Sequence, residues 1–313
     1  MQIGIIGAGS VGAATAFALM MHGVARKITL VDINSQRAFA EAADIAHAAP
    51  FAYANKVKSG TYADLKCCEI IIITAGANQK QGESRTDLLE RNVKIFAEII
   101  PQVVKYAPNS ILLVATNPVD VMTYVTLKLS NLPQSRVIGS GTVLDTARFR
   151  TDLGYHLGVS PKSIHANVLG EHGDSEVLCW DGGDAGTIPL KELAAALGCP
   201  ITAEIKAKID DDVRNAAYKI IAGKGATFYG IAGALTRICQ AVTTNEYAIL
   251  TVSSLHAEVE GVKDVCLSLP CVVGKRGIHS VLQPNLSSDE AQKLALSAAK
   301  LKELCLTAEQ MLA

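Results

Sequence analysis

The sequence predicts an α/β protein whose first half is a doubly wound parallel sheet and whose second half is mixed α+β. Three observations carry this. Short, continuous Ile/Val/Leu runs mark strands buried on both faces, as parallel strands are. Helix-length segments separate those runs, giving a β-α-β order. After about residue 145 this alternation stops.

The strands fall in order at "QIGIIG" (2–7), "KITLVD" (27–32), "EIIIITAG" (69–76), "SILLVATNP" (110–118) and "RVIGSG" (136–141). Helices are expected between them, among others over 11–22 and 90–106. The second half has helical stretches at 146–157 and 203–222, then a strand-rich part over 247–282 with glycine turns. The last segment opens "SSDE", where Ser287 and Glu290 have the spacing of a capping box. Ala291, Leu294, Ala298, Leu301, Leu304 and Ala308 then recur on one helical face. The expected division is 1–144 and 145–313.

Composition narrows the function. Of the 313 residues, 49% are hydrophobic and 19% charged, so a sizeable core is expected. The formal net charge of −1, with no basic run, argues against nucleic-acid or membrane-surface binding. No apolar stretch is long enough to cross a membrane, and the start "MQIGIIGAG" has no leader-like pattern. A cytoplasmic protein is expected. The eight cysteines show no zinc spacing and read as small buried hydrophobes in a reduced protein, with no metal site.

"GIIGAGSVGAA" carries Gly7, Gly9 and Gly12 as G-x-G-x-x-G, between a buried strand and an alanine-rich helix. Asp32 ends the next strand, twenty residues after Gly12. This is the Rossmann fingerprint: glycines let the backbone approach a pyrophosphate at a helix N-terminus, and the acid binds a ribose. A carboxylate repels a 2′-phosphate, so NAD is the expected cofactor rather than NADP.

In "VLGEHGDSE" (168–176), His172 lies between two glycines, uncrowded and poorly placed to pack. A histidine exchanges protons near neutral pH, but it needs partners. "GSGTVLDTARFR" (139–150) offers Asp145 and Arg148, three apart on one helical face. Asp145 would fix the imidazole, and Arg148 would grip a carboxylate with two hydrogen bonds. By spacing alone a surface ion pair explains them about as well. "TAGANQKQGESRTDL" (74–88) is a polar loop at a strand's C-terminal end, with Gly76 and Gly82 as possible hinges. Its arginine, Arg85, reads by itself as a solvated side chain. "ATNPVD" (115–120) places Asn117 at another strand end, where a turn role is equally open.

Together GAGxVG, the TAG loop ending in Arg85, TNPVD, LDTARFR and GEHGD resemble the L-lactate/malate dehydrogenase family, in family order and over essentially the whole chain. The resemblance implies a dehydrogenase with a substrate domain in its second half. His172 is then the proton donor and acceptor, Asp145 its partner, Arg148 the carboxylate anchor and Arg85 the loop arginine that polarises the carbonyl. The cofactor positions are Gly7, Gly9, Val11, Gly12, Asp32, Ala75, Gly76, Ala115, Asn117 and Ile231. Asn117 also faces the substrate, and Thr227 in "GKGATFYG" lines its side-chain pocket.

The discriminating position matches Gln79. Oxaloacetate would bring a second carboxylate into a closed site and require a cation there. Neutral Gln79, with Lys80 beside it, favours a monocarboxylic 2-oxo acid such as pyruvate. The resemblance also implies a homotetramer, and it aligns Arg150 and His165 with a fructose bisphosphate effector site. The rival readings are a malate dehydrogenase, a broader L-2-hydroxyacid dehydrogenase, and a non-catalytic NAD-binding protein. The last has no need of His172, Asp145, Arg148 and Arg85 together.

Overall fold

The computed structural model describes residues 1–53, 56–77 and 85–312, apart from the Arg85 side chain. The first half runs β1 (Gln2–Ile6), α1 (Ser10–Met21), β2 (Lys27–Val31), α2 (Ser35–His47), β3 (Lys56–Ser59), β4 (Ile70–Ile73), α3 (Arg85–Tyr106), β5 (Ile111–Val114), α4 (Val119–Ser130) and β6 (Val137–Gly139). There follow α5 (Val143–Leu157), β7 (Ile164–Leu169), β8 (Val177–Ala185), β9 (Ile188–Pro189), α6 (Leu190–Ala196), α7 (Ala203–Arg214), α8 (Ala216–Lys224) and α9 (Tyr229–Thr243). The chain closes with β10 (Ala248–Val259), β11 (Val262–Gly274), β12 (Gly277–Val281) and α10 (Ser288–Leu312).

Among the described residues the main sheet has the order β12-β11-β10-β6-β5-β4-β1-β2-β3. Its segment from β3 to β6 is parallel and doubly wound, with the order reversing between β1 and β4. A crevice at such a switch point is where these sheets bind ligands. The apolar runs bury both faces by strand alternation. Ile3, Ile5, Ile70, Ile72 and Leu113 enter one core, and Ile6, Ile71, Ile73, Leu112 and Val114 enter the other.

The structure adds to and corrects the expected elements. β3, in the run "KVKS", has a single apolar residue, the buried Val57, too little to mark a strand in the sequence. The stretch 203–222 is two helices, α7 and α8, meeting at Asn215. The antiparallel strands over 247–282 do not make a separate sheet: β10 pairs with β6, Ser253 opposite Gly139, and covers what would be an open edge. A smaller sheet, β7-β8-β9, is bridged to β11 by Gly170 and Ser268. All eight cysteines are free, but Cys67 is exposed and Cys199 half-buried, against the expectation of uniform burial.

The capping box is present at the start of α10. Glu290 accepts from Ser287 N–H at 2.9 Å, and Glu290 N–H meets Ser287 Oγ at 3.5 Å. The other oxygen of buried Glu290 accepts from Trp180 N–H at 2.7 Å, tying the helix start to β8. Buried faces of α10 then set it against the sheet through Leu294, Ala298, Leu301 and Ala308.

Candidate active site

The glycine loop sits at the switch point. Gly7 has φ +101°, and a Cβ there would lie 2.6 Å from Ala75 N. A Cβ on Gly12 would lie 1.9 Å from Gly7 O. These two glycines therefore let the loop, α1 and the β4 end close on one another. Gly9 differs: it caps α1 with no side-chain hydrogen bond, and a Cβ there would meet nothing within 4 Å. Open space over an uncapped helix N-terminus suits a pyrophosphate.

Asp32, just past β2, accepts from Ala8 N–H at 2.6 Å and from Asn34 N–H at 2.8 Å. Its carboxylate thus fixes the glycine loop and keeps lone pairs for a ribose. Val11, Ala115 and Ile231 are partly buried against one and the same core, since α9 packs on α1. These residues fit a dinucleotide. Asp32→Ser is expected to lower the NAD/NADP ratio of kcat/KM about tenfold or more, the worth of one charge-assisted hydrogen bond. An unchanged ratio would contradict the assignment.

At Gly76 a Cβ would lie 2.3 Å from Thr116 Cγ2, so the β4 loop packs closely there on the segment after β5. Gln79, Lys80 and Gly82 lie outside the described residues, and Arg85 begins α3. Asn117 is exposed at the end of β5, followed by a cis peptide bond to Pro118. Its carbonyl accepts from Asn92 Nδ2 at 2.8 Å, and Asn92 Oδ1 accepts from Ala77 N–H at 2.8 Å. Fully buried Asn92 therefore joins the β4 and β5 loops. Its only signal in the sequence is a polar residue on the apolar face of α3.

Three charged groups meet at the start of α5. His172 Nδ1 lies 2.6 Å from Asp145 Oδ2, and Arg148 Nη1 lies 2.8 Å from Asp145 Oδ1. Asp145 is 1% exposed, so neither partner can be removed without leaving a buried charge short of a bond. The His172 side chain is 24% exposed, so the ring keeps some access to solvent while Nδ1 is held by Asp145. Burial favours neutral His172, but the Asp145 charge and hydrogen bond, with Asp120 and Glu176 farther off, push it up to about 9. Burial opposes the charge on Asp145 as well. His172 and Arg148 overcome that and hold the carboxyl below its ordinary range.

Two buried acids beside this pair carry no clear sequence signal. Asp120 looks like an ordinary acid in the first turn of α4, yet its Oδ2 accepts the His172 backbone N–H at 2.8 Å. Burial raises it to about 6, against the Ser253 hydroxyl and the His172 N–H. Burial raises Glu176 to about 8, the Asp145 charge adding to the effect and Arg214 opposing it.

Thr227 is partly buried in the segment between α8 and α9, two residues before α9 begins, and Ile231 lies in the first turn of that helix. A cleft of about 410 Å³ reaches Arg148 between α5 and the α7–α8 pair, lined also by Leu144, Asp152, Asp212 and Lys219. Arg150 faces the other way. Its Nε donates to Ala166 O at 2.8 Å and its Nη2 to Asn167 Oδ1 at 3.0 Å. His165 is exposed on that same strand, β7.

Two family models and several known proteins match nearly the whole chain. Residues 1–139 match the family model for the lactate/malate dehydrogenase NAD binding domain, and residues 142–311 that for the lactate/malate dehydrogenase alpha/beta C-terminal domain. The chain is 51% identical to an L-lactate dehydrogenase of Thermus aquaticus, over 96% of this chain and 97% of that one. It is 50% identical to an L-lactate dehydrogenase of Allorhizobium ampelinum, over 98% and 99%. Among solved structures, a lactate dehydrogenase from a Medee basin deep-sea metagenome library superposes with a TM-score of 0.95 at 39% identity, covering 98% of both chains. The minor L-lactate dehydrogenase of Enterococcus mundtii gives a TM-score of 0.94 at 37% identity and the same coverage.

Proposed function

The chain belongs to the lactate/malate dehydrogenase family, and from that premise we propose that it reduces pyruvate to L-lactate, and the reverse, with His172 exchanging the proton. It is an oxidoreductase acting on a CH–OH group, with NAD as cofactor.

One observation supports this reading most: a single buried carboxylate, Asp145, holds His172 on one oxygen and Arg148 on the other. A 2-oxo acid has its carboxylate and its reacting carbonyl on adjacent carbons. The proton exchanger and the carboxylate anchor must then be fixed relative to each other, and a shared partner does that. Arg148 spends one N–H on Asp145 and keeps the rest of its fork for the substrate carboxylate. Because Nδ1 faces Asp145, Nε2 faces the carbonyl oxygen and gives it a proton. Asp145 stabilises the imidazolium in advance. Arg85 would steady the charge developing on that oxygen, Asn117 would bond the same oxygen, and Thr227 would leave room for a methyl group. When bound, the nicotinamide supplies or accepts the hydride at C2. In the reverse direction neutral His172 takes the hydroxyl proton.

The preference for pyruvate rests on neutral Gln79 and on relatives whose names are L-lactate dehydrogenase. NADH oxidation over a panel of 2-oxo acids tests it. Pyruvate is expected to exceed oxaloacetate in kcat/KM by about 100-fold or more, the cost of an uncompensated buried carboxylate. Faster turnover of oxaloacetate would make the enzyme a malate dehydrogenase.

The proposal extends to setting and control: a cytoplasmic homotetramer that recycles NADH from glycolysis by pyruvate fermentation. Arg150 on α5 and His165 on the neighbouring strand β7 would supply the basic groups for a phosphate of fructose bisphosphate. Activity at low pyruvate is expected to rise when fructose bisphosphate is added, and a flat response removes this effector.

A further inference from the structure

His172 lies on a stretch without regular secondary structure, residues 171–176, so specific bonds must fix it. Three consecutive backbone N–H groups, from Gly170 to His172, reach three different elements at the start of this stretch. Gly170 donates to Ser268 O on β11 at 2.9 Å, Glu171 to Ser297 Oγ on α10 at 2.9 Å, and His172 to Asp120 Oδ2 on α4 at 2.8 Å. The α10 bond is the longest-range of these in purpose as well as sequence, because it continues into a ring.

Donor directions in that ring follow from the hydroxyls. The Ser175 O–H donates to Glu171 Oε2, so in its 3.1 Å contact with Ser297 it accepts. Ser297 therefore takes the Glu171 N–H and gives its own proton to Ser175. The path Glu171 N–H, Ser297 O–H, Ser175 O–H, Glu171 carboxylate starts and ends on one residue, and each bond polarises the next. Lys300 Nζ adds a third donor to Glu171 Oε2 at 2.7 Å, alongside Ser175 N–H at 3.1 Å. Ser297 and Lys300 are three apart, on one face of α10. A buried helical serine commonly bonds its own preceding turn. Here the hydroxyl of fully buried Ser297 serves the loop. The fit is close: Gly170 has φ +82°, and a Cβ there would lie 2.8 Å from Ser297 Oγ.

We propose that Ser297 and Lys300 are positioning residues, through which the C-terminal helix holds the Glu171–Ser175 loop and keeps His172 in register with Asp145. This rests on His172 being the proton exchanger. A misplacement of about 1 Å at such a group costs up to ~100-fold in rate, and the ring closes around the residue next to it.

The test compares Ser297→Ala, Lys300→Met and Lys300→Arg with wild type, and His172→Gln as control. Four quantities are read: kcat and KM for pyruvate, NADH affinity, the pH at which pyruvate reduction falls off, and the downfield proton resonance of His172 Nδ1–H without substrate, assigned by its loss in His172→Gln. Ser297→Ala is expected to lower kcat about tenfold or more, with NADH affinity unchanged. Its alkaline limb should move to lower pH and its resonance broaden. Lys300→Met should do the same in smaller measure, and Lys300→Arg should restore both. Lys300 is partly exposed, so its variants decide the matter should Ser297→Ala fail to fold. Wild-type kcat, limb and resonance in the folded variants would overturn the positioning role while leaving the proposed function intact. Persistent turnover in His172→Gln would overturn that function instead, and an unchanged resonance in the variants would then still overturn the positioning.

Discussion

Replacing His172 with glutamine is expected to lower kcat for pyruvate reduction about 10³-fold, within the range that a positioned general acid contributes. Glutamine has nearly the same reach and can still hydrogen-bond Asp145, but it has no group that ionises near neutral pH and so cannot serve as acid or base. NADH affinity should not change, because the glycine loop and Asp32 follow β1 and β2, three or more strands from β6 and Asp145, and are held by their own bonds. The substrate carboxylate should also bind, since Arg148 keeps its bond to Asp145 at 2.8 Å. The loss should therefore fall on kcat and little on KM. Stopped-flow NADH binding and steady-state kinetics on the same preparation separate the two. A variant within tenfold of wild type would remove His172 from the chemistry.

The second large effect is expected at Arg148. Lysine keeps the charge there but not the planar fork that meets a carboxylate with two parallel hydrogen bonds. Arg148→Lys is expected to lower kcat/KM for pyruvate about 100-fold, mainly through KM, and Arg148→Leu about 10³-fold or more. The leucine variant should also be less stable, because Asp145 is 1% exposed and would keep only His172 as a charged partner. Saturation curves at several pH values check this. A lysine variant with wild-type KM would mean that Arg148 is only the ion-pair partner of Asp145, the reading that spacing alone left open.

Much of this was legible because it is local. The glycine loop between β1 and α1, the acid at the end of β2 and the capping box of α10 each occupy a few adjacent residues, and each has a backbone reason. The rest depends on partners far apart in the chain. That β10 completes the sheet beside β6 follows from an edge needing cover, which no run of residues announces. Asn215 breaks 203–222 without a glycine or proline to mark it. Asp120 reads as a helix-start acid and Ser297 as filler on an apolar face. Only the fold brings them to His172 and its neighbour, 52 and 126 residues away. Gln79 remains a reading of residue type, since it lies outside the described residues.

The pH dependence of kcat/KM in both directions tests the central claim most directly. Pyruvate reduction needs protonated His172, which the Asp145 bond and charge hold up to about 9. Reduction should therefore be flat through neutral pH and fall above about 9, while lactate oxidation should rise toward about 9 and level off beyond it. The two limbs should mirror each other about one ionisation and vanish together in His172→Gln. Limbs of the same sign, or limbs that persist without the imidazole, would contradict a single proton exchanged at His172.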